Sequence, residues 1–305
     1  MNKLSQKAFQ NARDAIFEYG RPLEQALFDY FFEKGDYVKV LQELTNYQNK
    51  DGGFGNGLEP DFLLPDSSPL ATTVAFQHLI KLKKTDILLN TIQKGIEYFE
   101  STYVEKRKGW FSVSADVNNY PHAPWWNFDL EKRMTIIDHH WGNPSSEIIG
   151  YLYKYKLFLK KLNVDELIQI AFKKLIDLKS YDSPHEIYCY IRLYRLLPKG
   201  LSEKIKKTLT TAAQSVICYD QTKWNEYVPK PLDFIENPSS YSFGIQPKWV
   251  DNHLRFIIGE LEEKGFIEPT WEWPSHLKVW EAQRKKWIAI LTLDALRKLE
   301  QFERM

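Results

Sequence analysis

Apolar residues recur every three to four positions along most of the chain. Tyr37, Val40, Leu41 and Leu44 form one such stripe, Leu88, Ile92, Ile96, Phe99 and Tyr103 a second, and Val164, Leu167, Ile168, Ala171 and Leu175 a third. Leu201, Ile205, Leu209, Ala212 and Val216 continue the pattern, followed by Val250, Leu254, Ile257 and Leu261. A last stripe runs through Leu277, Trp280, Trp287, Ile288, Leu291 and Ala295. Spacing near 3.6 places each set on one face of a helix, and strand-type alternation is nowhere sustained. The chain therefore reads as all-α, with no need for a sheet.

Helix-start chemistry recurs between the stripes. Asp66-Ser67-Ser68-Pro69, Asn143-Pro144-Ser145-Ser146, Asp182-Ser183-Pro184-His185, Asn237-Pro238-Ser239-Ser240 and Trp273-Pro274-Ser275-His276 each pair a side-chain acceptor with a proline. The acceptor takes an orphan backbone N–H, and proline is tolerated in the first turn, where no donor is needed. Successive caps lie roughly 40 residues apart, with one spacing doubled and one lengthened, as in a repeat of helical hairpins with inserted loops. The weakest unit is near Asn237, where Gly244 and Pro247 crowd the start of the next stripe.

A second element precedes the caps. Asp51-Gly52-Gly53-Phe54, Lys108-Gly109-Trp110 and Lys264-Gly265-Phe266 each follow a helical stripe. Glycine there supplies a left-handed residue that ends the helix, and the aromatic ring folds back over the helix end.

Charge narrows the partners. With 41 Lys and Arg against 40 Asp and Glu, the net charge of +1 gives no global field to draw in nucleic acid. The N-terminal residues Met1 to Lys7 have no apolar h-region, and no run of about 18 apolar residues occurs, so neither secretion nor a membrane span is expected. Two cysteines, Cys189 and Cys218, each lie in a helical pattern without a CxxC partner. A disulfide framework and a thiolate zinc site are thus not expected, and a reducing cytoplasm is the expected location. Aromatic residues reach 15%, with ten tryptophans, most of them in loops.

Gln48-x-x-Asp51-Gly52-Gly53-Phe54, followed by Leu70-Ala71-Thr72-Thr73-Val74-Ala75-Phe76 with its threonine and alanine face, resembles the repeat of the terpenoid cyclase and protein prenyltransferase superfamily. The segment Trp280 to Leu299 looks like a further inner helix of that kind. The resemblance implies an α/α toroid: one domain over residues 1–305, a ring of hairpins with long inserted loops at about 50–68, 105–142 and 219–249. It implies that the glutamine ties outer helices together. The superfamily's chemistry does not follow with the fold. An Asp-x-Asp-Asp cluster and an Asp-Asp-x-x-Asp cluster are both missing, and Cys189, within Tyr188-Cys189-Tyr190, lacks the partners of a prenyltransferase zinc site. Neither a metal nor a cofactor is expected.

If the capped helices are the inner ones, their N-termini converge on one end of the ring and the loops before them share a cavity. An anionic ligand group would be favoured there. Glu59, Asp61, Asp138 and His139 are the acid/base candidates, with at most one of Glu59 and Asp61 pointing inward from an extended loop. His140 and the tryptophans Trp125, Trp126, Trp141, Trp271 and Trp273 are the candidate ligand contacts. Two roles fit the tryptophans: paving a pocket for an isoprenoid-like or saccharide-like ligand, or plugging the ring. Glu186 joins the same group of loops, and Glu147 reads as a capping-box acid. His253 and His276, at helix starts, and His78, on an apolar face, read as structural. The expected function is that of an enzyme with a small-molecule pocket; a carbohydrate-active hydrolase or lyase and a non-catalytic binding scaffold are the alternatives.

Overall fold

The computed structural model describes residues 2–305. Among them are eleven α-helices: α1 (Gln6–Tyr19), α2 (Pro22–Phe32), α3 (Tyr37–Thr45), α4 (Pro69–Leu79), α5 (Asp86–Ser101), α6 (Gly142–Lys154), α7 (Val164–Ile176), α8 (Pro184–Leu196), α9 (Lys199–Val216), α10 (Pro247–Lys264) and α11 (Leu277–Gln301). Every apolar stripe named above falls on one of these helices except for Tyr103, which lies just past the end of α5, while α1 and α2 precede the first stripe. The described residues are mostly helical, in keeping with the all-α expectation, and the one sheet among them is minimal. Strands β1 (Phe128–Asp129) and β2 (Met134–Thr135) pair antiparallel inside the loop before α6, Phe128 opposite Thr135. Two residues per strand are too few for alternation to register. No helix of the described residues is long and apolar enough to cross a membrane.

The chain divides into two compact units, one of Met1–Glu43 with Ile217–Met305 and the other of Leu44–Val216. In the first, α1 packs on α2, α10 and α11 over a core that includes Ala12, Ile16, Phe28, Leu261, Leu296 and Leu299. Its two chain ends meet, with the Leu4 N–H donating to the Arg304 carbonyl at 2.8 Å. Gly265 ends α10 in the left-handed region, at φ +80°, and donates to the Leu261 carbonyl, the glycine stop predicted there.

His253, also in this unit, is buried and accepts the Leu232 N–H through Nδ1 at 3.0 Å, the backbone-satisfying role expected of it. Lys298 bonds both Asp233 (3.1 Å) and Asp294 (2.9 Å) nearby. Burial alone would raise the Asp233 carboxyl, but Lys298 and His253 outweigh it and hold the group below its ordinary value. His276 departs from expectation: it is exposed, left-handed at φ +63°, and its side chain caps nothing in α11.

In the second unit α6 and α8 run parallel, with Gly142 beside Glu186, Glu147 beside Arg192, and Gly150 against Leu193 and Leu196. The C-terminal half of α4 meets α6 through Phe76, whose ring centroid is 5.0 Å from that of Tyr151. Helix α5 lies against α4, α7 packs on α6 and α9, and α9 packs on α8.

Local starts follow the caps in part. Ser68 accepts from Ala71 N and Ser183 from Glu186 N, each with proline as the next residue. At Asn143 the side chain does not cap; the residue is non-helical, and its Oδ1 instead lies 3.7 Å from Cys189 Sγ, whose single S–H it shares with Glu147. Asn237 starts no helix, because its Oδ1 closes a tight turn onto Ser239 N and Oγ. Gly52 is left-handed (φ +89°) but lies beyond the end of α3, in a turn that Gln48 ties to α5 by donating Nε2 to the Gly52 and Thr91 carbonyls. At the second turn the left-handed residue is Lys108, at φ +53°, and Gly109 leaves room for Ser145 and Trp141.

Candidate functional site

The long loop before α6 is organised by one buried carboxylate. Asp138, 1% exposed, accepts Ser112 N and Oγ on Oδ1, both at 2.7 Å, and Thr135 N and Oγ1 on Oδ2, at 2.9 and 2.7 Å. Four donors fill both oxygens, so the loop entering at Ser112 and the end of β2 are clamped to the short 3₁₀ turn Ile137–His139. Arg107 adds a second clamp by donating to the carbonyls of Asp138 (2.5 Å) and Trp110 (3.0 Å), its guanidinium 4.6 Å from the Phe111 ring centroid. Trp141 donates Nε1 to the Arg107 carbonyl at 3.0 Å. The acid/base role expected of Asp138 gives way to a scaffolding one, because a carboxylate with four donors has no lone pair left for a substrate.

What this clamp positions is His139, His140 and Trp141. They form one wall of an open groove of about 570 Å³; the end of α7 and the segment after it (Ile170, Lys173, Lys174, Leu178, Lys179) and Asp182 with Glu186 form the rest. Trp141 is 9% exposed and Ile170 and Leu178 are apolar, so the groove's lining combines hydrophobic side chains with charged ones. Lys174 Nζ stands 5.9 Å from the Trp141 ring centroid, and Lys173 pairs with Asp177 at 2.7 Å.

Glu186 is the group of most chemical interest here. It lies in the first turn of α8, is 4% exposed, and accepts the Gly142 N–H on Oε1 at 2.7 Å. Its Oε2 stands 3.6 Å from Nδ1 of the half-buried His140, an ion-pair distance slightly too long for a direct hydrogen bond. Burial raises the Glu186 carboxyl above its ordinary value, while the Gly142 N–H, His140 and Arg107 pull it down. A carboxyl held nearer neutral pH beside an accessible imidazole is the equipment of proton transfer.

A second polar cluster lies farther along the α6/α8 seam. Glu147, 1% exposed, takes Tyr151 Oη (2.5 Å) and Gln77 Nε2 (3.0 Å) on Oε1, and Arg192 Nη1 (3.0 Å) and Cys189 Sγ (3.5 Å) on Oε2. It joins α4, α6 and α8, and is not the capping-box acid expected at that position. Burial raises the Cys189 thiol well above its ordinary value, and with it the Tyr151 hydroxyl.

The remaining candidates lie elsewhere. Asp61 is buried and Glu59 half-buried in a loop that zips to the 120–126 segment: Ala123 N donates to the Asp61 carbonyl (2.8 Å) and Leu63 N to that of Pro121 (2.9 Å). Trp126 is buried edge-on against Phe62 at 5.3 Å, so it fills space between loops, and Trp125 is half-buried beside it. Trp271 and Trp273 belong to the other compact unit, where Trp273 is fully buried against Trp280 and Trp271 lies edge-on to Trp287 and Tyr227. Cys218 lies past the end of α9, outside the helix expected to hold it, and both cysteines are free. Among the described residues no group of three or more His, Cys, Asp or Glu is placed to hold a metal ion.

Sequence reasoning brought His139, His140 and Trp141 together with Glu186, and the groove contains all four. It missed Arg107, Ser112, Thr135 and Arg192. Nothing in their spacing marks the first three; the fourth is foreshadowed only by an Arg one helical turn beyond Cys189 on a face shared with α6. No protein-family model matches the sequence, and no curated protein or solved structure is significantly similar to it.

Proposed function

We propose that this chain is an enzyme of the α/α-toroid kind that moves a proton on a small molecule bound in the groove, with Glu186 and His140 as the acid/base pair. The observation that carries the reading is the buried, raised Glu186 carboxyl beside an accessible imidazole on the wall of an open groove. The groove lies at the N-terminal ends of α6 and α8, where loops before inner helices would meet in a toroid. The Gln48 tie to α5 is the kind of link that the cyclase-like repeat implies. The hydrophobic part of the lining, Trp141, Ile170 and Leu178, suits the apolar body or ring face of an isoprenoid-like or saccharide-like ligand. His139, farther out on the same wall, contacts the ligand's polar end.

The test is a panel of isoprenoid and saccharide compounds screened by ligand-observed NMR, first on the native chain and then on Glu186→Gln and His140→Asn. Expected is a compound that binds the native chain and is turned over about 10²-fold more slowly by either variant. Turnover unchanged in both variants would overturn the assignment.

A further inference from the structure

We infer that Arg192 anchors a second ligand site, separate from the groove, for an oxyanionic group such as a carboxylate or phosphate. The guanidinium is fixed from one side: Nη1 donates to Glu147 Oε2 at 3.0 Å, and Glu147 is held in turn by Tyr151 and Gln77. Only that one bond from Arg192 is made among the described residues, while its side chain remains 35% exposed against 2% for Glu147. Burial works to lower the Arg192 guanidinium but is outweighed by Glu147, so the group stays charged while part of its side chain meets solvent. A guanidinium carries five N–H donors in a planar fork, and the edge formed by Nε and Nη2 is left for a planar or tetrahedral oxyanion to take in bidentate fashion.

The cost of the arrangement points the same way. Removing the Glu147 carboxylate from water carries a desolvation cost that a packed apolar side chain would not incur. For packing alone, the three helices need no ion pair. For binding, the buried acid orients the fork before the ligand arrives, which lowers the entropy lost on association. Arg192 lies six residues beyond Glu186 on α8, about 9 Å farther along the seam with α6, which keeps the two sites apart.

The experiment follows the arginine side-chain Nε–Hε resonances of the ¹⁵N-labelled full-length chain during titration with inorganic phosphate, succinate, and sodium chloride at matched ionic strength. The Arg192 resonance is assigned with Arg192→Lys. Expected is a saturable shift of that resonance with phosphate, succinate or both, the responsive anion naming the ligand class, and affinity about tenfold weaker in Arg192→Lys, which keeps the charge but loses the fork. Arg192→Gln abolishes binding. No shift of the Arg192 resonance, or an equal shift with chloride, overturns the proposal. The wild-type titration decides the matter even where a variant does not fold.

Discussion

The carboxylate of Glu186 fills the start of α6: its Oε1 takes the Gly142 N–H at 2.7 Å, so the first turn of α8 supplies the anion that the N-terminus of its parallel neighbour attracts. The negative group expected at this end of the helices is therefore the protein's own. A free anionic ligand would meet a site already occupied, and Glu186 is held where its carboxyl is both hydrogen-bonded and desolvated.

The sign of the pH effect follows from that balance. Burial raises the folded-state pKa of Glu186 above its ordinary 4.5. Its favourable contribution is present at low pH and is lost as pH rises through the raised folded value, because the unfolded chain releases the proton more readily. Glu186→Gln keeps an oxygen for the Gly142 N–H and removes the charge. The variant should gain on the native chain in urea midpoint as pH climbs from about 4 to about 8. A midpoint difference independent of pH would show that burial of this carboxyl is not what sets its energetics.

Gly142 tests the same contact from the other side. A Cβ at that position would stand 2.5 Å from Tyr190 Cε2 and 2.8 Å from Glu186 Cγ, closer than real Cβ contacts. Gly142→Ala must push α6 and α8 apart at their starts, at about 1–3 kcal/mol by the usual cost of overpacking. Chemical denaturation gives the loss. An alanine variant as stable as the native chain would mean that the two helix starts are loosely held.

Asp138 separates scaffold from catalyst. Asp138→Asn leaves one acceptor oxygen for four donors and turns an NH₂ toward the N–H and O–H groups of Ser112 or Thr135. Stability should fall by about 2–4 kcal/mol, with ligand affinity in the groove falling in parallel as the His139–Trp141 wall loosens. Lost turnover with full stability and unchanged affinity would instead make Asp138 a catalytic acid.

These residues also mark how far the sequence can be read. The apolar stripes gave six helices because burial of a helix face imposes a 3.6-residue period that no other structure produces. Ser68 and Ser183 were legible as caps because a short side-chain acceptor directly before proline suits the first turn of a helix. Asn237 and Asn143 look the same in sequence, yet one closes a turn and the other bonds Cys189, since the same acceptor satisfies whichever donor the fold brings near. His139, His140 and Trp141 could be flagged together because they are adjacent. Glu147 with Arg192, and Asp138 with Ser112, are pairs made only by folding, separated by 45 and 26 residues, and no local pattern encodes them.

His253 gives the clearest pH signature of the other compact unit. Burial pushes its imidazole down to about 3, with the Asp233 carboxylate pulling against it and Lys298 and Lys230 adding to the effect. Because Nδ1 accepts the Leu232 N–H, the neutral ring carries its proton on Nε2. A base whose folded pKa is depressed contributes its full stability above its ordinary value of 6.5 and loses it as pH falls toward 3, where the unfolded chain binds a proton that the folded chain refuses. The limiting slope is about 1.4 kcal/mol per pH unit for one proton. His253→Gln keeps an acceptor for Leu232 but cannot be protonated, so it should lose some stability at neutral pH through poorer packing on Trp224. Its stability curve should be flatter by close to one proton between about pH 6 and pH 4, the residual slope coming from Asp233, whose lowered carboxyl also loses stability on acidification. Urea unfolding of both proteins across that range measures the difference in slope, and identical slopes would place the acid sensitivity on other groups.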